Sequence, residues 1–258
     1  MKTIAIMIQR GGVAKTTTTT ALGAGLNANG KRVLLIDLDP QQNLSFAENI
    51  DVFSPVPTLY DVFMGQPIED AIQPTQTPNR YVITGGLKLA SADLTFSGTV
   101  SREYLLKRNL DRLQDRFDYC LIDTPPGLGL LTMNAATAAD HVIIPLGLDA
   151  LSLQGLSHLW GFISDVQRYC NPDLDISGIL LTQYDARTIV TQALEEQVQQ
   201  IAEQHDTKVF NARIRRSQAI RTAQAMQTID VYYSKAKAAI DYRAFTAEVL
   251  EMYEGKVR

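Results

Sequence analysis

A glycine-containing loop joins the first apolar segment of the chain to its first helical segment. Ile4–Ile8 is a short apolar run typical of a buried strand, and Thr16–Asn29 has the pattern of a helix that ends at Gly30. Between them the chain reads Gln9-Arg10-Gly11-Gly12-Val13-Ala14-Lys15. A strand, a tight glycine turn and a helix in immediate succession predict the strand–loop–helix unit from which parallel α/β sheets are built.

The same loop has the chemistry of a phosphate-binding site. Its glycines let backbone N–H groups approach anionic oxygens, the helix N-terminus adds a favourable dipole, Lys15 can reach the terminal phosphates, and the Thr16 hydroxyl can ligate Mg²⁺. The alternative is a strand-to-helix turn without a ligand, but such a turn has no structural need for Lys-Thr at the helix start. The residues expected to bind phosphate are Gly11, Gly12, Val13, Ala14, Lys15, Thr16 and Thr17.

Short apolar strands alternate with longer helical patterns along the whole chain. The predicted strands are Ile4–Ile8, Val33–Asp37, Tyr81–Thr84, Tyr119–Asp123, His141–Pro145, Ile176–Thr182 and Lys208–Phe210. Leu151–Tyr169 carries an apolar stripe on one side, which indicates a helix packed on the core. This alternation predicts an α/β fold with a mostly parallel, twisted sheet and helices on both faces. Because the 258 residues are 45% hydrophobic and show no domain linker, we expect a single domain over residues 1–258.

Three aspartates follow predicted strands. Asp37 and Asp39 lie at the end of the second strand, and Asp123 ends the fourth. Carboxylates at the C-terminal ends of parallel strands face the crevice in which α/β sheets bind ligands. A single aspartate there is equally consistent with a helix cap, but three of them beside a phosphate loop favour a role in metal binding and catalysis.

Several classes of protein are disfavoured by the sequence. The longest apolar stretches are far shorter than the roughly 20 residues that cross a bilayer, so we expect no membrane span. The first residues lack the pattern of a secretory signal, so we expect a cytosolic protein, and we expect no N-terminal helix-turn-helix extension. Cys120 and Cys170 have no metal-ligand spacing and are expected to be buried free thiols.

Positive charge is concentrated in one part of the chain. The formal net charge of −4 excludes a uniformly basic protein, yet nucleic-acid binding needs only one positive face. Four arginines occur without an acid between Arg213 and Arg221. From charge alone, solvated surface arginines explain this cluster as well as DNA does. The candidates for a DNA-binding face are Arg187, Arg213, Arg215, Arg216, Arg221, Lys235 and Lys237.

The loop and the acidic segments together resemble the deviant Walker A family of P-loop ATPases, which includes ParA, Soj, MinD and the nitrogenase iron protein. Residues 10–17 are similar to the family's loop pattern, Lys-Gly-Gly-x-Gly-Lys-Thr-Thr/Ser. The segment Asp37-Leu38-Asp39-Pro40-Gln41-Gln42-Asn43 resembles its second acidic motif, and Cys120-Leu121-Ile122-Asp123-Thr124-Pro125-Pro126 resembles its Walker B strand. Residues 178–188 are similar to the ParA and Soj branch in particular.

This resemblance implies a P-loop fold that binds and hydrolyses ATP with Mg²⁺. It places Asp123 and Thr16 at the Mg²⁺ shell, lets Asp39 orient the attacking water, and has Asp37 support the metal region. The residues to which it gives a catalytic role are Lys15, Asp39, Asp37 and Arg10.

Two loop residues depart from the family pattern. Arg10 occupies the position of the signature lysine, which in relatives reaches the nucleotide of a partner chain, so we expect Arg10 to act in trans. Ala14 stands where relatives have glycine, and a positive φ at that position would cost roughly 1–2 kcal/mol. We therefore expect slow ATP hydrolysis by the isolated chain.

The ParA and Soj resemblance implies an ATP-bound homodimer that binds DNA without sequence preference. It also implies a ParB-like centromere-binding adaptor that stimulates hydrolysis, a role in plasmid or chromosome segregation, and a cytoplasmic location on the nucleoid. A MinD-like ATPase that acts on a membrane or a protein cargo is the main alternative, although the C-terminal segment has the pattern of a packed helix. An iron–sulfur reductase and a small-molecule kinase or ligase are two further alternatives on this scaffold.

Overall fold

The computed structural model describes residues 1–187, 189–218 and 232–255, and one eight-stranded sheet organises them. The strands are β1 (Lys2–Ile6), β2 (Val33–Asp37), β3 (Gln73–Pro74), β4 (Arg80–Ile83), β5 (Tyr119–Asp123), β6 (His141–Gly147), β7 (Asp175–Tyr184) and β8 (Val209–Arg215). Their order is β3-β4-β2-β5-β1-β6-β7-β8, and every neighbouring pair is parallel except β3 with β4. The predicted α/β fold with a mostly parallel sheet is confirmed.

Helices connect the strands. The α-helices of the described residues are α1 (Lys15–Ala28), α2 (Asn43–Ala47), α3 (Leu59–Phe63), α4 (Ala92–Thr95), α5 (Leu105–Leu110), α6 (Leu130–Ala138), α7 (Ala150–Tyr169), α8 (Ile189–Gln204) and α9 (Lys237–Glu254). Short 3₁₀ helices lie at Ile68–Ala71, Leu87–Ser91, Arg102–Tyr104 and Asp111–Leu113. No helix within these residues is both long enough and apolar enough to span a bilayer.

Successive side chains along the strands pack alternately into two hydrophobic cores, one on each face of the sheet. Ile4 and Ile6 of β1 belong to the core beneath α1 and α9, whereas Ala5 between them belongs to the larger core beneath α6, α7 and α8. This is the two-residue period of a strand that is buried on both faces. The prediction of helices on both faces is therefore confirmed, and the apolar stripe of α7 packs in the larger core.

Most predicted boundaries are close to the observed ones, and the exceptions have local causes. β1 begins and ends two residues earlier than Ile4–Ile8, because Met7 and Ile8 are buried but already lead into the loop. β3 lies in a segment predicted to be only a surface connection, where it pairs antiparallel with β4. The prediction of two buried thiols is right for Cys120 and wrong for Cys170, which is half-buried at the end of α7.

The last strand was predicted much too short. Lys208–Phe210 marks only its start, and β8 continues to Arg215 because Phe210, Ala212 and Ile214 alternate into the core against α9. Polar and charged residues at the intervening positions, Asn211, Arg213 and Arg215, hid this periodicity in the sequence. As a result, two arginines predicted to lie in a basic cluster are strand residues.

A fully buried ion pair ties α2 to β4. Arg80 Nη2 lies 2.6 Å from Glu48 Oε2, and both side chains are completely buried. Within the described residues, Arg80 Nε and Nη1 and Glu48 Oε1 have no hydrogen-bond partner. Burial raises the pKa of Glu48 despite the opposing charge of Arg80. Burial of the pair therefore costs free energy, and each buried charge is stabilised by the opposite charge of its partner.

We expect Arg80→Met to lower the free energy of unfolding by about 3–5 kcal/mol, because the substitution leaves Glu48 buried without its partner. The double substitution Arg80→Met with Glu48→Leu removes both charges and is expected to recover most of that loss. Urea-induced unfolding followed by circular dichroism measures both changes.

Arg112→Met is the matched control, since it breaks the exposed Arg112–Glu69 pair at 3.1 Å. Its effect on unfolding is expected to stay below about 1 kcal/mol. An equal loss in Arg80→Met and Arg112→Met would contradict the importance of the buried pair.

Candidate functional site

The loop between β1 and α1 has the backbone of an anion-binding turn. Ala14, at the N-cap of α1, has φ 69° and ψ 31°, and Gly12 has φ 76°, so both lie in the left-handed region. Lys15 Nζ donates to the carbonyl oxygen of Arg10 at 2.8 Å and closes the loop. The start of α1 therefore faces the space above the loop with a lysine at its edge.

The end of β7 holds the outer side of this loop. Thr182 Oγ1 donates to the carbonyl oxygen of Val13 at 3.1 Å, and Gln183 Nε2 donates to that of Gly12. Gln183 itself has φ 53°. Sequence reasoning did not assign these two side chains to the site, although both lie in the segment that resembles ParA and Soj. They connect the loop directly to the residues that follow β7.

Two aspartates meet beside the loop because β2, β5 and β1 are neighbours in the sheet. Asp37 and Asp123 are directly opposed in the β2–β5 register, and both are completely buried. Thr16 Oγ1 donates to Asp123 Oδ2 at 2.6 Å, and Thr19 Oγ1 lies 3.4 Å from the other oxygen. The structure thus brings together the predicted helix-start threonine and two of the three predicted strand-end carboxylates.

Burial disfavours charge on these groups. Desolvation, with a contribution from Asp39, raises the pKa of Asp37 to about 7. Desolvation and the neighbouring Asp37 raise the pKa of Asp123 to about 8, although Thr16 and Lys15 oppose the shift. Burial also lowers the pKa of Lys15, more than Asp123 and Asp39 raise it. A cation delivered to this point would stabilise both carboxylates in their ionised form.

A serine that sequence reasoning missed holds Asp37. Ser45 of α2 donates to Asp37 Oδ2 from its backbone nitrogen at 2.9 Å and from its hydroxyl at 2.7 Å. The backbone nitrogen of Asp39 donates to the other oxygen at 3.2 Å. Asp39 is half-buried and accepts from the backbone nitrogen of Gln41 at 2.9 Å. Asp37 is therefore fixed by three hydrogen-bond donors, whereas Asp39 is only half-buried.

The donor set fits Mg²⁺ bound together with phosphate. The hydroxyl of Thr16 and the carboxylate of Asp123 are in contact, and Asp37 is adjacent. Magnesium is usually held by one or two carboxylates plus substrate phosphates and water, not by an all-protein cage. Accordingly, within residues 1–187, 189–218 and 232–255 no three His, Cys, Asp or Glu side chains form a metal-binding group.

The remaining loop residues divide into two groups. Val13 and Thr17 are buried, whereas Gly11 is exposed and leaves space above the loop. The half-buried Arg10 directs its guanidinium toward the start of α7, where Nη2 lies 3.8 Å from Asp149 Oδ1. Arg10 thus has a partner on its own chain.

Most of the predicted DNA-binding residues lie around one groove. The groove has a volume of about 830 Å³ and is formed by the ends of β7 and β8 and the start of α9. Of the seven candidates, those that line it are Arg187, Arg213, Arg215, Arg216 and Lys237. Lys235 is exposed outside the groove lining, and Arg221 lies outside the described residues. The structure therefore brings five of the seven together.

Acids from other elements neutralise part of this groove. Glu195 of α8 lies 2.6 Å from Arg213, and Asp241 of α9 forms a bidentate pair with Arg215. The highly exposed Arg187 is 3.3 Å from Asp185.

Two cations of the groove keep their charge available. For Arg216 and Lys237, both exposed, no ion pair forms within the part of the chain that the structure describes. The segment from Arg213 to Arg221 thus contains no acid in sequence, but in the folded chain acids from other elements pair with two of its arginines.

Comparison with known proteins places the chain in a family. The profile of the AAA domain family matches residues 1–176. The sporulation initiation inhibitor protein Soj of Bacillus subtilis is 42% identical over 251 residues, which cover 96% of this chain and 98% of the relative. The chromosome partitioning protein ParA of Caulobacter vibrioides is 38% identical over 255 residues, with 97% and 94% covered. The chain belongs to the ParA family of P-loop ATPases.

Solved structures agree with this assignment. A crystal structure of cobyrinic acid a,c-diamide synthase from Mycobacterium smegmatis with bound ATP analog and magnesium is 35% identical and has a TM-score of 0.86. The match covers 99% of this chain and 97% of that one.

The left-handed backbone of Ala14 confirms the condition under which its methyl group costs energy. We expect Ala14→Gly to raise the free energy of unfolding by roughly 0.5–1 kcal/mol, because relief of about 1–2 kcal/mol of strain exceeds the extra unfolded-state entropy of glycine. Chemical unfolding without nucleotide measures this. Ala28→Gly, at the right-handed end of α1, is the control and is expected to destabilise. Lower stability in Ala14→Gly would contradict the strain.

The buried aspartates predict how stability depends on pH. Their folded-state pKa values of about 7 and about 8 exceed the unfolded value of 3.8, so at intermediate pH the folded chain binds more protons than the unfolded one. This contribution to stability is full below the unfolded pKa and is lost as pH rises through the folded pKa values. The free energy of unfolding without nucleotide or metal is therefore expected to fall from about pH 5 to pH 8, by at most about 1.4 kcal/mol per pH unit per proton.

Urea unfolding in the presence of a metal chelator, repeated across this pH range, tests the expectation. Asp123→Asn removes one titrating group and is expected to flatten the dependence. An identical slope in the wild-type chain and in Asp123→Asn would contradict the raised pKa of Asp123.

Proposed function

We propose that this chain is a DNA-partition ATPase. Two copies bind ATP and Mg²⁺, the resulting dimer binds DNA without sequence preference, and hydrolysis separates the copies. The observation that carries the proposal is the contact of Gln183 with Gly12, which joins the phosphate loop to the basic groove that begins one residue later at Tyr184. Relatives named Soj and chromosome partitioning protein ParA support it.

The loop residues have distinct roles in binding the nucleotide. Backbone N–H groups of residues 11–17 bind the phosphates at the start of α1, and Lys15 exchanges its bond to the Arg10 carbonyl for the terminal phosphates. Thr16 and Asp123 hold Mg²⁺, with Asp37 beside them. When bound, Mg²⁺ neutralises charge on the phosphate oxygens.

Hydrolysis depends on the second acidic segment. The half-buried Asp39 orients the attacking water, while Asp37, held by Ser45, lies beside Asp123. The strained loop at Ala14 supports slow turnover by the isolated chain. An adaptor of the ParB type, which resemblance to ParA implies, would stimulate hydrolysis on the nucleoid in the cytosol.

DNA binding is assigned to the groove and depends on dimerisation. Arg216 and Lys237 supply positive charge that no acid of the described chain neutralises by an ion pair, and Arg187 adds an exposed guanidinium. Such contacts are to phosphate and do not read bases. Two grooves in one dimer act as a single multivalent footprint, whereas one chain offers only half of the contacts.

The membrane alternative is weakened by the packing of α9. An amphipathic helix that binds lipid needs a free apolar face. In α9 the apolar face, with Tyr242, Phe245 and Val249, is buried against α1 and β8. A small-molecule ligase has one point of support, the synthase name of the solved relative. The curated partition relatives favour DNA, and the test below separates the two.

The test is DNA affinity measured without nucleotide, with ADP and with a non-hydrolysable ATP analogue, alongside size by light scattering. We expect dimerisation and tight DNA binding only with the analogue, and a logarithmic salt slope of about −0.9 per neutralised phosphate. In Arg216→Gln with Lys237→Gln, affinity is expected to fall roughly tenfold per lost phosphate contact near 0.1 M salt, and the slope to become shallower.

Arg116→Gln is the matched control, because Arg116 is also exposed but lies before the start of β5, whereas the groove lies at the ends of β7 and β8. Its DNA affinity is expected to remain at the wild-type value. Equal DNA affinity in all three nucleotide states would contradict the proposed switch. Weakened ATP binding with unchanged DNA binding in the groove variant would assign the groove to the nucleotide base.

A further inference from the structure

Arg10 makes its ion pair within its own chain. Its guanidinium lies 3.8 Å from Asp149, the N-cap residue of α7. Asp149 Oδ1 also accepts from the backbone nitrogen of Ser152 at 2.9 Å, and its Oδ2 accepts from the Ser152 hydroxyl at 3.1 Å. The carboxylate is therefore held by the helix cap whether or not Arg10 is present.

The hydrogen-bonding groups of the Arg10 side chain are only partly satisfied. Arg10 Nε is buried, and no group of the described residues accepts a hydrogen bond from it. The side chains of Arg10 and Asp149 are 34% and 50% exposed, so water weakens their attraction. A buried donor without an acceptor and a long, solvated ion pair make a weak resting site, which a phosphate can replace by two parallel bonds.

The backbone before Arg10 is fixed much more firmly than its side chain. A Cβ at Gly155 of α7 would lie 2.6 Å from the carbonyl oxygen of Gln9, so helix and loop are in close backbone contact. His158 Nδ1 lies 2.6 Å from Gln9 Oε1. The guanidinium can consequently exchange partners while the loop keeps its shape.

We propose that Asp149 is a positioning residue that holds Arg10 on its own chain until the phosphates of a partner's nucleotide replace it. The inference rests on the proposed ATP-bound dimer and on the expectation, from the family resemblance, that Arg10 acts in trans. Each chain contains one such pair, so two pairs must break as the dimer forms. Asp149 therefore opposes assembly until ATP is bound on both chains.

The test is Asp149→Asn in the full chain. Asparagine keeps an oxygen for the cap of α7 but removes the charge that attracts Arg10. With a non-hydrolysable ATP analogue, the dimer dissociation constant from light scattering is expected to fall about two- to tenfold, because two weak ion pairs no longer have to break. In an Arg10→Ala background, the same substitution is expected to change nothing.

Ser152→Ala is the matched control, since it removes a contact to the same carboxylate and keeps its charge. Its dimer is expected to match that of the wild-type chain. If the wild-type chain dimerises and Asp149→Asn leaves the dimer dissociation constant unchanged or raises it, the proposed role of Asp149 is overturned but the proposed dimer is not. A wild-type chain that stays monomeric with the analogue would overturn the proposed dimer and this inference with it.

Discussion

Two carboxylates buried side by side under a phosphate loop are the constraint on which the rest of the site depends. Asp37 and Asp123 face each other across adjacent strands, and in this buried place their mutual repulsion is relieved either by protonation, which their raised pKa values favour, or by cations. Lys15 supplies one positive charge. Thr16 and Asp123, which are in contact, are the residues that would hold Mg²⁺ as a second cation. Binding of nucleotide with Mg²⁺ therefore brings a cation to two carboxylates whose ionised forms burial disfavours.

The sheet topology explains how that control reaches the surface. β7 ends beside the loop, where Gln183 contacts Gly12, and its next residues enter the basic groove. After β6 the chain enters α7, whose N-cap residue Asp149 contacts Arg10. The phosphate loop thus contacts two other parts of the molecule directly. One contact leads to the proposed DNA-binding groove, and the other involves the arginine proposed to act across the dimer.

Local pattern predicted much of this arrangement, and contacts between distant segments account for the rest. The loop, the strand-end aspartates and the resemblance to ParA depended on neighbouring residues, so they could be read directly. The hydrogen bonds of Ser45, the acids that pair with Arg213 and Arg215, and the contact of Arg10 with Asp149 join residues far apart in sequence or separated by a turn. The length of β8 was missed because its exposed positions are charged.

The most direct test of the central claim is calorimetric titration of ATP into the wild-type chain and into Lys15→Ala, each with and without Mg²⁺. The account predicts saturable uptake by the wild-type chain that is stronger with Mg²⁺ and is lost in Lys15→Ala, because the lysine at the start of α1 binds the terminal phosphates. Absence of uptake by the wild-type chain, or unchanged uptake by Lys15→Ala, would contradict it.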